Sequence, residues 1–236
     1  MTILFWDIDG TLLTTGRAGI HAWEDAYREV GGRALDLTSI RTDGLTDHQV
    51  AQLILREAGT EETPDIVHRM VAVYERELPG RLHVRKGRCL DNVRDVLDHL
   101  RANRPDVKSL LLTGNTSAGA RAKLTHYELA GFFEAGAFSE DTGPRSAIAT
   151  RAAAIAAAGR HATSSDRLFV IGDTPHDIHA GAAIGARTIA LATGGYSAQE
   201  LSVHAPWVVL DCLPSPALFE RLIDSPEAVS GTSVVE

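Results

Sequence analysis

Lysine and cysteine are scarce in this 236-residue chain, and no apolar run is long. Lysine occurs only at Lys86, Lys108 and Lys123, the rest of the 23 basic residues being arginine, so a catalytic lysine has few candidates. The two cysteines, Cys89 and Cys212, form no C-x-x-C pair and cannot build a disulfide framework, which predicts a reducing, cytoplasmic setting. No segment approaches the ~18 apolar residues of a membrane span, and the first residues lack the basic stretch and apolar run of a secretion signal. Positive charge is also in deficit. A formal net charge of -8 argues against nucleic acid or an anionic membrane surface as partner. Small anions are not excluded, because a bound metal and a few basic groups reverse the field locally. Methionine and aromatic residues are few and scattered, with Phe5 and Trp6 reading as core, and no pattern bears on oligomeric state.

What is present is an alternation of strands and helices. Short, nearly continuous apolar runs lie at Ile3 to Trp6, Leu110 to Leu112, Leu168 to Ile171, Thr188 to Leu191 and Trp207 to Leu210. Such runs suit strands covered on both faces. Between them, Leu90 to Arg101 places Leu90, Val93, Val96, Leu97 and Leu100 on one helical face, and Ala147 to Ala158 is alanine-rich. Asp177 to Ile184 follows Thr174-Pro175, a good helix start, and ends at Gly185. The pattern predicts an α/β fold, a doubly wound parallel sheet. From Thr14 to about Leu82 it offers three helices (about Ile20 to Val30, Thr46 to Glu57, Pro64 to Leu78) and no strand. We therefore expect a discontinuous core, residues 1–14 and 83–236, interrupted by a small helical cap, 15–82. Hinges are expected at Thr14-Thr15-Gly16 and at Arg81 to Gly87. The stretch from Ser225 onward lacks periodicity and is expected to fray.

In open parallel sheets ligands bind beyond the carboxyl ends of the strands, so the residues following each strand carry the functional signal. After the first come Asp7-Ile8-Asp9-Gly10-Thr11: two carboxylates at i and i+2 leave the strand on the same side. Like charges so close need a cation or a shared proton between them, and Gly10 allows a tight turn whose N–H groups can close on an anion. After Leu112 come Thr113-Gly114-Asn115, a hydroxyl, a permissive turn and an amide. After Ile171 come Gly172-Asp173-Thr174-Pro175-His176-Asp177, with carboxylates at i and i+4. Ala192-Thr193-Gly194-Gly195 follows the next strand and reads only as a shaped loop.

In these motifs, and in their order along nearly the whole chain, the sequence resembles the haloacid dehalogenase superfamily. The closer likeness is to its phosphoglycolate phosphatase-like members with an inserted helical cap. The resemblance implies Mg²⁺-dependent hydrolysis of a small phosphorylated metabolite through an aspartyl-phosphate. Asp7 would be the nucleophile, and Asp9 would protonate the leaving group and then deprotonate water. Mg²⁺ would be held by Asp7, the backbone carbonyl of Asp9 and Asp173, with Asp177 supporting directly or through water. The phosphoryl oxygens would be gripped by Thr113, Gly114 and Asn115, with the Gly10-Thr11 turn beside them.

The chain departs from the family where a lysine normally precedes the last acidic strand. The stretch reads Glu140-Asp141-Thr142-Gly143-Pro144-Arg145-Ser146, so Arg145 is the expected replacement. Lys123, mid-helix in Ala118 to Tyr127, is the rival and reads more readily as solvent-facing. In the cap, Arg17 and the loop Arg41 to Asp47, with Thr46, are expected to read the leaving group, although Thr46 or Asp43 equally suits a helix cap. His176 is expected to be exposed beside the site, and His21, His48 and His68 at the surface. Among relatives, a 2-haloacid dehalogenase has no need of Asp9. A phosphonatase wants a cap lysine, and none precedes Leu82. A sugar phosphomutase keeps both Asp9 and the metal, and a non-catalytic regulatory relative has no need of the carboxylates.

Overall fold

The computed structural model describes residues 1–140, 143–158 and 167–225. Asp141 and Thr142 of the third-motif stretch, and the tail beyond Ser225 expected to fray, lie outside the described residues. In chain order the elements are β1 (Thr2–Trp6), β2 (Leu13–Thr14), α1 (Ala18–Gly31), α2 (Asp47–Glu57), α3 (Pro64–Val84), β3 (Arg88–Cys89), α4 (Val93–Asn103) and β4 (Val107–Leu112). They continue with α5 (Ser117–His126), β5 (Gly136–Ala137), α6 (Arg145–Ala158), β6 (Leu168–Gly172), α7 (Pro175–Ala183), β7 (Arg187–Leu191), α8 (Ala198–Ser202), β8 (Val208–Leu210) and α9 (Pro216–Asp224).

Six strands form one sheet in the order β5-β4-β1-β6-β7-β8, with every pairing parallel. Strand β1 is central because it is apolar on both faces. Leu4 and Trp6 pack toward α4, α5 and α9, while Ile3 and Phe5 pack toward the alanine face of α6. All five of its residues are buried. The chain leaves β1 toward β4 on one side and returns to β6 on the other. The loops after β1, β4 and β6 therefore open onto one crevice at the topological switch.

The helical insertion follows β1. Helices α1 to α3 bury their own apolar cluster, including Trp23, Tyr27, Val50, Met70 and Tyr74, with Trp23 and Tyr74 stacked at 4.0 Å. At its base β2 and β3 pair antiparallel, Leu13 with Cys89 and Thr14 with Arg88, a two-residue ladder too short to show as a sequence pattern. The third helix, expected to about Leu78, extends further, so the chain leaves helix at Val84, within the expected hinge Arg81 to Gly87. Helix α3 runs on to Val84 although Pro79 lies within it, because Leu78 and Leu82 on either side are buried and hold the turn in place.

Candidate active site

Three carboxylates from two strand ends converge beneath a cavity of about 470 Å³ between sheet and insertion, which Asp7 and Asp173 line. Asp7 and Asp173 follow β1 and β6, adjacent strands in register from Ile3 with Leu168 to Trp6 with Ile171. Asp177 enters from the first turn of α7, where its Oδ2 accepts from Thr174 N–H at 3.1 Å and Thr174 Oγ1 at 2.7 Å. The Thr174-Pro175 signal thus does two jobs: it starts the helix, and it aims Asp177 back at the strand end. Asp7, Asp173 and Asp177 each offer a carboxylate oxygen, and these oxygens lie within 4.8 Å of one another. All three residues are buried.

Such crowding costs free energy unless it is neutralised. Burial pushes the Asp7 carboxyl up to about 6; Arg145 opposes this, while Asp177 and Asp9 add to it. Asp173 is held well above the carboxylate range by burial, with Asp7 and Asp177 adding. Among the described residues the one cation against the cluster is Arg145, 6% exposed, which pairs with Asp7 Oδ1 at 2.8 Å and with Asp177 Oδ1. Its Nε is buried without a partner among the described residues. An all-oxygen, excess-negative set of this kind fits a hard divalent cation such as Mg²⁺.

Asp173 is fixed by Thr11, whose hydroxyl donates to its Oδ1 at 3.0 Å, and by two residues without side chains. A Cβ at Gly10 would lie 2.3 Å from Asp173 Oδ2, and one at Gly194 only 1.7 Å away. Thr193 ties the same two loops together by donating from Oγ1 to Gly10 O at 2.5 Å. The loop after β7, without chemistry in the sequence reading, is thus a wall of the acidic cluster. The Gly10-Thr11 turn serves differently from expectation. Gly10 N–H donates to Leu13 O at 2.9 Å and Thr11 N–H to Ile8 O at 3.3 Å, so these donors shape the turn and do not face an anion.

Asp9 stands apart from the trio. Its Oδ2 accepts from Asn115 Nδ2 at 2.9 Å and from Lys123 Nζ at 2.5 Å, and Lys123 also donates to Asn115 Oδ1 at 2.6 Å. Lys123 is therefore not solvent-facing: it is 4% exposed, one turn and more along α5 on the face turned toward β1. Burial opposes its charge, yet Asp9, Tyr74 and Asp47 together hold the ammonium above the usual lysine range. The choice between Arg145 and Lys123 dissolves. Arg145 braces Asp7 and Asp177, and Lys123 braces Asp9. Thr113 is fully buried; its hydroxyl accepts from Asn115 Nδ2 at 2.8 Å and from Asn115 N–H at 3.3 Å, and it also bonds Asp7.

The insertion reaches the site through the segment Arg41 to His48. Arg41 donates to Gly195 O at 2.7 Å and lies over the Tyr196 ring, 3.8 Å from its centroid. Asp47 N–H donates to Gly114 O at 2.8 Å, and its Oδ2 accepts from Thr116 N–H at 2.7 Å. Burial pushes the Asp47 carboxyl up to about 7, opposed by Lys123 and the Thr116 N–H. Arg17 lines the cavity and is exposed, with its guanidinium on Thr38 O. Thr46 does not line it: the residue is fully buried and closes a capping box with Gln49 at the start of α2. His48 also departs from expectation, being buried and 2.9 Å from Ser139 Oγ. His176 is half-buried beneath Gly44, its pKa lowered by burial and Arg145. Asp47, the last residue of the loop expected to reach the site, lines the cavity; Tyr74 and Trp23 also line it and escaped the sequence reading, because nothing in a helical pattern separates a core-facing position from a cavity-facing one.

Comparison with known proteins agrees with this architecture. No curated protein matches the chain significantly. Among solved structures, a hydrolase from Pseudomonas syringae is 21% identical with a TM-score of 0.70, over 96% of this chain and 99% of that one. A protein described as a predicted phosphoglycolate phosphatase from Haemophilus somnus is 16% identical, with a TM-score of 0.70, over 95% and 97%. CbbY from Rhodobacter sphaeroides, solved in complex with phosphate, is 15% identical with a TM-score of 0.71, over 90% and 95%. Likeness at such identities carries the fold alone. The family model for haloacid dehalogenase-like hydrolases, however, matches residues 3–191, and the chain belongs to that family.

Proposed function

We propose that the protein is a phosphatase that hydrolyses small phosphate monoesters with Mg²⁺, using Asp7 as nucleophile. The observation that carries this reading is the buried trio Asp7, Asp173 and Asp177, its oxygens within 4.8 Å of one another, with Asp9 beside it on the cavity wall. The neighbours described as a predicted phosphoglycolate phosphatase and as solved with phosphate are in keeping with it.

An Asp7 carboxylate oxygen bonds to phosphorus as the ester P–O bond breaks, and the leaving oxygen takes a proton from Asp9. Asp9 then accepts a proton from water, which attacks the same phosphorus and releases inorganic phosphate with Asp7 restored. Lys123 and Asn115 occupy Asp9 Oδ2, which leaves Oδ1 for proton transfer, a function contributing ~10²–10⁴-fold in rate. Asp7 and Asp173 would hold Mg²⁺ directly. Asp177, whose two oxygens are already engaged by Arg145 and Thr174, would support it through water. When bound, the ion neutralises charge on the phosphoryl group and orients it for in-line attack. Thr113 and the Gly114-Asn115 turn would orient the remaining phosphoryl oxygens, and Arg145 keeps Asp7 aligned. The helices of residues 15–82 would act as a cap that excludes bulk water and opens for product release. A cavity of this size admits metabolites and not folded phosphoproteins.

The test is phosphate release by the purified full chain across a metabolite panel, with and without Mg²⁺, repeated with Asp7→Asn. Mg²⁺-dependent release abolished by Asp7→Asn is expected. No release from any ester, or near-normal turnover in the variant, ends the reading.

A further inference from the structure

The cavity holds groups that the bond-breaking steps leave unused, and they lie together at the insertion side. Asp47, the first residue of α2, is 6% exposed and lines the cavity. Its Oδ2 is taken by Thr116 N–H, and among the described residues Oδ1 takes no hydrogen bond. Tyr74 lines the same wall, stacked on Trp23 with their planes 5° apart, and Ile20 and Val50 complete an apolar surface. Lys123 contacts Asp9 at 2.5 Å and Asn115 at 2.6 Å, and its charge is shared among Asp9, Tyr74 and Asp47. The other cation on this side, Arg17, is exposed, with its guanidinium at Thr38 O. The leaving-group end therefore combines an apolar wall with one buried carboxylate acceptor, while its two cations are already engaged, Lys123 by Asp9 and Asn115 and Arg17 by Thr38 O.

We propose that this end selects a neutral, hydroxyl-bearing leaving group, with Asp47 accepting a hydrogen bond from one of its hydroxyls. Esters of polyols or sugars are then preferred over esters of hydroxy acids such as phosphoglycolate. The proposal rests on the phosphatase reading above. A hydroxyl donating to a buried carboxylate makes a short, charge-assisted bond, while the apolar wall covers the carbon skeleton. A carboxylate in the same place faces Asp47 at close range in a low-dielectric cavity, where two like charges repel. The cavity, about 470 Å³, is also larger than a two-carbon leaving group requires.

The test compares kcat/KM for glycerol phosphate and a hexose phosphate with that for phosphoglycolate. It is run at about pH 8, above the value of about 7 to which burial pushes Asp47, in wild type and Asp47→Asn. Asparagine keeps an oxygen for Thr116 N–H and removes the charge. The ratio of the two kcat/KM values within each enzyme cancels any loss of folded protein. The wild type is expected to favour the hydroxylated esters on the order of 10²-fold, and Asp47→Asn to narrow that ratio at least about tenfold. Should Asp47→Asn not fold, free ribitol and free glycolate are compared as inhibitors of wild-type p-nitrophenyl phosphate hydrolysis, ribitol being expected to act at lower concentration. Equal or better turnover of phosphoglycolate by the wild type, an unchanged ratio in the variant, or stronger inhibition by glycolate overturns the proposal. Failure of the wild type to cleave p-nitrophenyl phosphate or any other ester removes the phosphatase reading itself, and this inference with it. Hydrolysis without the preference removes only this inference.

Discussion

Gly194 makes room for Asp173: a side-chain carbon at position 194 would stand 1.7 Å from Asp173 Oδ2, inside any contact distance. Gly10 leaves room for the same oxygen, since a side-chain carbon there would stand 2.3 Å from it. Gly194→Ala should therefore displace Asp173 and weaken Mg²⁺ about 10–100-fold, as changes around metal ligands do. A Mg²⁺ titration of phosphate release checks this; an unshifted midpoint would separate Gly194 from metal binding.

Lys123 and Arg145 divide between them the work of one cation. Arg145→Ala leaves Asp7 and Asp177 facing each other and should lower kcat by roughly 10²–10³-fold. Arg145→Lys keeps the charge but cannot span both carboxylates, and it should recover part of that loss. Steady-state kinetics of the two variants measure the difference; equal rates for Ala and wild type would take Arg145 out of the site.

For Lys123 the expected signature is both kinetic and structural. Lys123→Met leaves Asp9 with Asn115 alone and strips the one ammonium that lines that side of the cavity among the described residues. Activity should fall by at least ~10²-fold. Stability should fall by about 1–3 kcal/mol, less than for a fully buried pair because the Asp9 side chain is 42% exposed. Urea denaturation reads the second effect, and a variant as stable as wild type would return Lys123 to the surface.

Asp7 makes stability depend on pH in an unusual direction. Burial raises its carboxyl from 3.8 to about 6, so between these values the folded chain binds more protons than the unfolded one. Metal-free stability must then decline as pH rises through that window, by on the order of 3 kcal/mol from this group. Mg²⁺ favours the ionised carboxylates, so its stabilising effect should be larger at pH 7 than at pH 5. Thermal denaturation with and without Mg²⁺ at the two pH values tests it. An effect of equal size at both would place the ion elsewhere.

Thr46 provides a control at the edge of the site. It caps α2 from a fully buried position, so Thr46→Ala should lower stability by about 0.5–2 kcal/mol while leaving the ranking of substrates unchanged. A reordered substrate profile would restore the specificity role that its sequence position suggested.

Much of this architecture was legible before folding. Ile3 to Trp6 reads as a two-sided strand because every position is apolar, and the Asp-x-Asp-Gly-Thr that follows is improbable in an ordinary turn. Thr174-Pro175 announces a helix start, and Asp177 three residues past Thr174 completes its cap. Helix α3 and the β2–β3 pair were less legible. Pro79 argues for a break that tertiary burial overrides, and two-residue strands have no periodicity to detect.

By itself, then, the amino-acid order determined which residues could do chemistry, since acids, hydroxyls and glycines just after buried strands are set by local spacing. Only the tertiary structure decided their partners. Lys123 lies on a helix whose pattern has almost no amphipathic bias, and its direction follows from how α5 is laid against β1 and the insertion. The roles of Gly194 and Asp47 likewise depend on close approach between segments far apart in the chain. Local propensities carry no information about such approaches; packing sets them.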